Sequence, residues 1–464
     1  MEGQNAPTWD ESYGQLPAGY GVDGPQRSQS LDIIDNPGRL PRGVFKNQKD
    51  RKETAQTRGV GACIRCRMQR IRCIPNLDDP RGVCITCMKP TKFKTSKLPC
   101  LRYKLTEVRL FVDDMAPGLV WSTRWQDLQL KDINVWASSE IRTIKLTQDY
   151  VATPLTFQVR RFIPLESDML IRKWAHGSVK KSVTLPPYAF ANMREALETY
   201  KGFINREGTG HIHNILDRND RLVWETYSAA IKASNSPTVT EPEKILLKMI
   251  FRLWVASRMT TKSERICGDD ILDMFPNLLD ETHPMHGQIP IPPVMGAQIR
   301  TLVTHIIMAR LKPLVLEQLY TLITVNKPSN WFSTYLCTFI LLHDCSLKVA
   351  KNAIYAKKHG MKTQFANMDA ISEIQLGANI LLAYFHYSCK GFRVFEDGWK
   401  EEKMKSMASL NEEQAQFIQK TAAYVKTNKR HFAEVLDRKM YEHEHYFIAQ
   451  LYDDDWKPRP TVKP

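Results

Sequence analysis

The chain has 464 residues, with 65 Lys and Arg against 50 Asp and Glu, a net charge of +15. With 43% apolar and 9% aromatic residues it can build packed cores, which excludes a wholly disordered chain, and the length suits about three domains, or two with tails. No apolar run of 18 residues occurs, the longest candidate being residues 335–343, so no membrane span is expected, and the polar, acidic N-terminus lacks a secretory h-region.

Residues 1–38 carry six acids and one Arg among Gly, Pro and Ser, with no helical or strand period, and read as a disordered acidic segment. Trp9, Tyr13, Tyr20, Ile33 and Ile34 give it the composition of an acidic-aromatic activation segment. A basic linker, 39–62, follows. Residues 39–109 hold nineteen Lys and Arg against five acids, a charge of +14, which leaves +6 for the 355 residues behind them. Charge concentrated in this way points to a polyanion, most often nucleic acid.

The same stretch holds six of the ten cysteines, Cys63, Cys66, Cys73, Cys84, Cys87 and Cys100, in two C-x2-C units each followed by a third cysteine. A C-x2-C turn brings two thiolates onto one metal, and zinc prefers four ligands in a tetrahedron. Six thiolates complete two tetrahedra only if two sulfurs bridge both ions, and no His lies within the segment to supply another ligand. The neighbouring Arg and Lys offset the charge of such a cluster.

Beyond residue 110 the pattern changes. Ile141-Arg-Thr-Ile-Lys-Leu and Leu155-Thr-Phe-Gln-Val-Arg-Arg-Phe-Ile alternate as strands do, and Trp121, Trp125 and Trp136 supply apolar bulk, so 111–186 reads as a small β-containing linker region. Residues 187–450 read as a large irregular all-α regulatory domain of about eight helices. Thr240-Glu-Pro-Glu is a helix start, apolar stripes run through 299–322, 331–356, 371–387 and 417–440, and Pro313 should kink or split the first of these. Residues 451–464 are a tail. Cys337, His343 and Cys345 sit among Phe339, Ile340, Leu341 and Leu342 and read as core. His211-Ile-His213 and His443-Glu-His445 place imidazoles two apart, off a common helical face, and read as surface or packing residues. Cys267 and Cys389 read as core thiols. No P-loop, G-x-G-x-x-G, H-E-x-x-H or G-x-S-x-G occurs, and no enzymatic reaction is expected.

Residues 62–73, Ala-Cys-Ile-Arg-Cys-Arg-Met-Gln-Arg-Ile-Arg-Cys, and the later Val-Cys-Ile-Thr-Cys ending at Leu-Pro-Cys100 resemble the fungal binuclear zinc-cluster DNA-binding domain over about forty residues. The resemblance implies two zinc ions per chain, one held by Cys63, Cys66, Cys73 and Cys84, the other by Cys63, Cys84, Cys87 and Cys100, in a DNA-binding domain of residues 63–110. It implies a transcription regulator of RNA polymerase II genes in a fungal nucleus, binding double-stranded DNA through a CGG-like triplet, with transcription machinery or co-regulators as further partners.

The family's base-reading positions correspond to Gln69 and Arg70. A helix over 67–73 is expected to enter the major groove, Arg70 to reach a guanine edge, and Arg65, Arg67, Arg72, Lys92, Lys94 and Lys97 to contact phosphates. Two departures from the family stand out: the twelve-residue gap before Cys100 is long, and Gln69 is uncharged where the family is commonly basic, so the triplet is expected to deviate. Leu101, Leu105, Val108 and Phe111 give at most two apolar turns and no heptad follows, so binding as a monomer or dimerisation through the helical region is expected. The alternative function is a zinc-stabilised protein-interaction or RNA-binding module with a helical partner-binding domain.

Overall fold

Gln, Lys, Arg, Glu and Ala favour helix, and residues rich in them form α1 (Gln48–Val60), a helix with no apolar stripe that lies where a basic linker was expected. The computed structural model describes residues 47–80, 82–89, 99–111, 121–177, 179–358, 360–388, 395, 406 and 408–462. The acidic segment 1–38, Cys389, and Lys92, Lys94 and Lys97 lie outside them. Gly61, at φ +80°, turns the chain from α1 into the cysteine unit, and Thr57 Oγ1 donates to Cys73 O at 3.1 Å. That unit contains two short helices, α2 (Ile64–Met68) and α3 (Ile85–Met88).

Strands β1 (Trp136–Thr147) and β2 (Leu155–Phe162) pair antiparallel, with Ile144 opposite Phe157 and Leu146 opposite Leu155. Alternate residues of β2, Leu155, Phe157 and Val159, face the core. The remaining strands of this sheet are β5 (Tyr188–Phe190), β6 (Arg265–Cys267) and β7 (Ile289–Pro290), in the order β5-β2-β1-β6-β7. A separate hairpin joins β3 (Ile171–His176) to β4 (Val179–Thr184). Three strands of the sheet therefore come from beyond residue 186, in the region whose periodicity is helical. They are two or three residues long, too short to show a period of two.

The body comprises α4 (Met193–Arg206), α5 (Gly208–Ile215), α6 (Arg221–Asn235), α7 (Glu241–Met259), α8 (Pro293–Arg300), α9 (Ala309–Val325), α10 (Trp331–Lys358), α11 (Met368–Tyr387), α12 (Glu412–Thr427), α13 (Lys429–Asp437) and α14 (His445–Ile448). Glu243 starts α7 by accepting from Thr240 N–H at 3.1 Å. Pro313 stays inside α9; the irregularity precedes it, in a π-helical stretch Thr301–Met308 that connects α8 to α9.

Helix α10 is the axis of the body, buried from Trp331 to Ser346 and packed by α6, α7, α9, α11 and α14. Its polar groups are matched: His343 bonds Tyr227 Oη and Glu444 Oε1, each at 2.9 Å, and Asp344 accepts from Arg258 at 2.6 Å and Ser257 at 2.9 Å. Cys345 is sealed beside them, and burial pushes its thiol up to about 12. No described helix is long and apolar enough to cross a membrane.

One hydrophobic core runs from Ile64 and Met68 through the sheet to Val462. The cysteine unit is docked on the body by the residues after it. Leu105, Val108, Leu110 and Phe111 are buried, a 3-10 turn at Leu105–Glu107 packs on α9 and α11, and Lys348 Nζ donates to Leu110 O at 2.6 Å. The short apolar run that offers no coiled coil is used for this docking.

Candidate metal centre

Helices α2 and α3 start alike. Cys63 (φ −63°, ψ 156°) and Cys84 (φ −70°, ψ 150°) are their N-caps, and each thiol accepts from the amide three residues on, Cys66 N at 3.4 Å and Cys87 N at 3.3 Å. Each C-x2-C unit thus sets two sulfurs on one side of a helical turn. The third cysteines return to the caps: Cys63 N–H points at Cys73 Sγ and Cys84 N–H at Cys100 Sγ, both at 3.5 Å. The result is a pseudo-twofold pair of loops with six sulfurs between them.

Sulfur separations are 4.0 Å for Cys63–Cys84, 3.6 Å for Cys63–Cys87, 3.8 Å for Cys66–Cys84 and 3.9 Å for Cys66–Cys87. Tetrahedral zinc with bonds of about 2.3 Å needs sulfurs about 3.8 Å apart, which the Cys63–Cys84, Cys63–Cys87 and Cys66–Cys84 pairs match. Two quartets meet the requirement, Cys63, Cys66, Cys73, Cys84 and Cys63, Cys84, Cys87, Cys100, sharing Cys63 and Cys84. Without an ion, hydrogen bonds with Cys100 and then Cys66 drive the Cys63 thiol up, while Cys100 and Cys63 drive Cys87 down. Six thiols this close cannot ionise together unless a cation supplies the opposing charge. The buried cysteine groups are thus able to hold metal.

The basic residues divide into two sets. Arg65 is 2% exposed and turned into the cluster, where Nη1 donates to Cys87 O at 3.4 Å. Arg67 faces the body: Nη1 donates to Tyr384 Oη at 3.0 Å and Tyr320 Oη at 3.4 Å, and Nη2 to Ala62 O at 3.2 Å. Tyr384 in turn donates to Tyr103 O at 2.9 Å, and Tyr387 Oη to Pro99 O. Neither arginine points outward as the phosphate-contact expectation requires, because α2 lies against α11 and its first turns are enclosed.

Gln69 is half-buried; Arg70 and Arg72 are exposed. The expected helix over 67–73 is replaced by the shorter α2, closed at its C-terminus by a Schellman motif, with Ile71 N–H on Cys66 O at 3.0 Å and Arg70 N–H on Arg67 O at 3.1 Å. Arg70 holds the left-handed position at φ +53°, where glycine is usual. This sharp stop carries the chain back so that Cys73 reaches the cluster. Exposed Arg51, Lys52 and Arg58 on α1, and Lys89 after α3, extend the basic surface. The α1 set belongs to the basic stretch read as a linker, and its helical form was not expected although helix-forming residues fill it.

A family profile described as the KpeA transcription factor matches residues 111–451, well over half of the chain. The chain belongs to the KpeA transcription factor family. The satratoxin biosynthesis SC3 cluster transcription factor of Stachybotrys chartarum is 23% identical over 458 aligned residues, covering 93% of this chain and 61% of the relative. The chain therefore spans less than two thirds of that curated relative's length. No solved structure matches. Family and relative are both named as transcription factors, which points to a role in transcription regulation. The family match begins after Cys100, so the cysteine head lies outside it.

Proposed function

We propose that this KpeA-family protein is a nuclear, sequence-specific regulator of RNA polymerase II genes. Its Cys63–Cys100 head holds two zinc ions and reads a CGG-like triplet in the DNA major groove. The observation that carries the reading is the pair of cysteine quartets sharing Cys63 and Cys84, with Arg70 exposed at the end of α2. Gln69 and Arg70 face base edges, Arg72 contacts phosphate, and Lys92, Lys94 and Lys97, which precede Cys100 in sequence, add phosphate contacts. Arg65 offsets thiolate charge and Arg67 ties the head to the body. The body, 187–450, serves co-regulators or the transcription machinery.

Selection of bound duplexes from a random pool by the full chain tests this directly. A GC-rich half-site should emerge, and Arg70→Gly should lose about 1–3 kcal/mol of discrimination, on the order of 5- to 150-fold. Glycine suits the left-handed backbone there, so this variant keeps its fold while losing its reading group. Unchanged discrimination by Arg70→Gly, or equal competition by single-stranded RNA, would overturn the assignment.

A further inference from the structure

Three histidines converge on one point of the body far along the chain from the cysteine head. His431 lies in α13, and His443 and His445 lie at the turn entering α14. Helix α13 ends in a second Schellman motif, with Lys439 left-handed at φ +51°, Met440 N–H on Val435 O at 3.0 Å and Lys439 N–H on Leu436 O at 3.2 Å. That reversal folds residues 443–445 back onto His431. Because His443 precedes α14 and is not part of it, the two-residue spacing that separates imidazoles on a helix brings them together here.

The ring centroids are 5.1 Å apart for His431–His443, 5.4 Å for His431–His445 and 5.2 Å for His443–His445, with planes inclined at 62°, 81° and 57°. One ring nitrogen from each lies within 4.8 Å of the others. His431 Nε2 and His445 Nδ1 are 3.3 Å apart, long for a hydrogen bond and equal to the edge of a tetrahedron with metal–nitrogen bonds of about 2.0–2.1 Å.

The far side of His445 is fixed. Its Nε2 bonds Asp220 Oδ2 at 2.6 Å, and Asp220 Oδ1 accepts from Val223 N–H at 3.1 Å as the N-cap of α6. A carboxylate on one imidazole nitrogen holds the proton there and turns the other nitrogen's lone pair inward, the usual support of a metal-binding histidine. Glu444, between the two histidines, bonds His343 of α10 at 2.9 Å and anchors the turn.

We infer that His431, His443 and His445 form a second, independent transition-metal site, selective for zinc-like divalent cations, with Asp220 as the positioning carboxylate. Imidazole donors suit zinc, and three of them leave a fourth position for water or a partner's side chain. His431 coordinates through Nε2 and His445 through Nδ1. His443 supplies one ring nitrogen, and its Nδ1 accepts from His445 N–H at 3.0 Å. Any proton on a ligating nitrogen moves to the ring's other nitrogen or to water when the metal binds. The bound ion ties α13 and α14 to α6.

The full chain, freed of any polyhistidine tag, is loaded with zinc and metal per chain is counted by native mass spectrometry. His431→Gln and His443→Ala should each bind one ion fewer than the wild type, whatever number the cysteine head holds. Cobalt loading separates the sites: the head gives thiolate-to-metal charge-transfer absorption, unchanged in both variants, while the histidine site contributes only d–d bands, lost in both. Asp220→Asn should weaken zinc binding about 10- to 100-fold without changing the charge-transfer band. Equal metal content in wild type and both folded variants would overturn the proposal and leave the cluster as a chain of hydrogen-bonded imidazoles.

Discussion

Docking of the cysteine head on the body can be tested at one glycine. Gly377, in α11, lies beneath the chain that leaves the head. A Cβ there would sit 2.6 Å from Arg109 O, 3.2 Å from Arg109 N and 3.3 Å from Val108 Cγ1. Ordinary contact begins near 3.4 Å, so the segment would have to retreat by about 0.8 Å. The crowded atoms are mostly backbone, held by buried Val108 and Leu110 and by Lys348 on Leu110 O, so they cannot rotate away.

Overpacking of this kind costs about 1–3 kcal/mol, while alanine gains about 1 kcal/mol of helix propensity over glycine. Gly377→Ala should therefore lose up to about 2 kcal/mol net, read as a lower urea midpoint of the full chain at unchanged slope. Hydrogen exchange should also quicken in residues 99–111. Gly202→Ala is the control. A Cβ there meets only the end of Arg206, at 3.0 Å from Nη1, so that variant should be neutral or more stable. If Gly377→Ala were as stable as Gly202→Ala, the head would not be packed on α11 as described.

The buried carboxyls give predictions of opposite sign. Burial pushes Glu264 up to about 7, against the lowering effect of its bond from Tyr200 Oη at 2.9 Å. Its stabilising protonated form is fully present below the unfolded value near 4.5 and is lost as pH rises through about 7. Wild type should lose up to about 3 kcal/mol across that window and Glu264→Gln should not; parallel urea titrations at pH 5 and pH 8 would refute this if both proteins changed alike. For Asp344, burial raises the carboxyl but Lys348, Arg258 and Ser257 outweigh it and hold it below the usual range. Its contribution is present above about pH 4 and lost on acidification through the lower folded value. Asp344→Ala should cost about 3–5 kcal/mol at pH 7 by stranding Arg258, and a loss under 1 kcal/mol in denaturant melts would argue against the network. In salt titrations of DNA binding, Arg72→Ala should reduce the slope of log affinity against log salt by about 0.9, whereas Arg67→Ala should leave it unchanged. Equal reductions would place Arg67 at the phosphates and refute its role as a tie to the body.

What the sequence made legible follows the range of the interactions. The six cysteines lie within 38 residues, and their C-x2-C spacing marks a metal-binding unit, while the division into two quartets came from the resemblance to the zinc-cluster domain. The strands over residues 141–146 and 155–163 were readable too, from their short runs of alternating apolar residues, whereas their pairing was not. Direction within the head was not. Arg65, Arg67, Arg70 and Arg72 look equivalent in a string of basic residues, yet two turn inward and two outward. What separates them is the tyrosine-bearing face of α11, some three hundred residues away, and a left-handed turn at a residue that is not glycine.

The histidine cluster was hidden for a related reason. Reasoning by helical faces applies only to residues inside one helix, and the turn at Lys439 takes His443 out of that rule. A positive φ at an Arg or a Lys has no signature in composition, yet Arg70 and Lys439 each turn a chain segment back onto the neighbouring cysteines or histidines. The two Schellman turns, at Arg70 and Lys439, thus do for the thiols and the imidazoles what C-x2-C spacing does alone for the first pair: they convert neighbours in sequence into convergent donors. Substituting glycine at either should preserve the turn, and proline, which cannot adopt that φ, should abolish it. Loss of head metal in Arg70→Pro but not Arg70→Gly, read by cobalt charge transfer, would show that the turn and not the guanidinium assembles the cluster; equal retention in both would refute it.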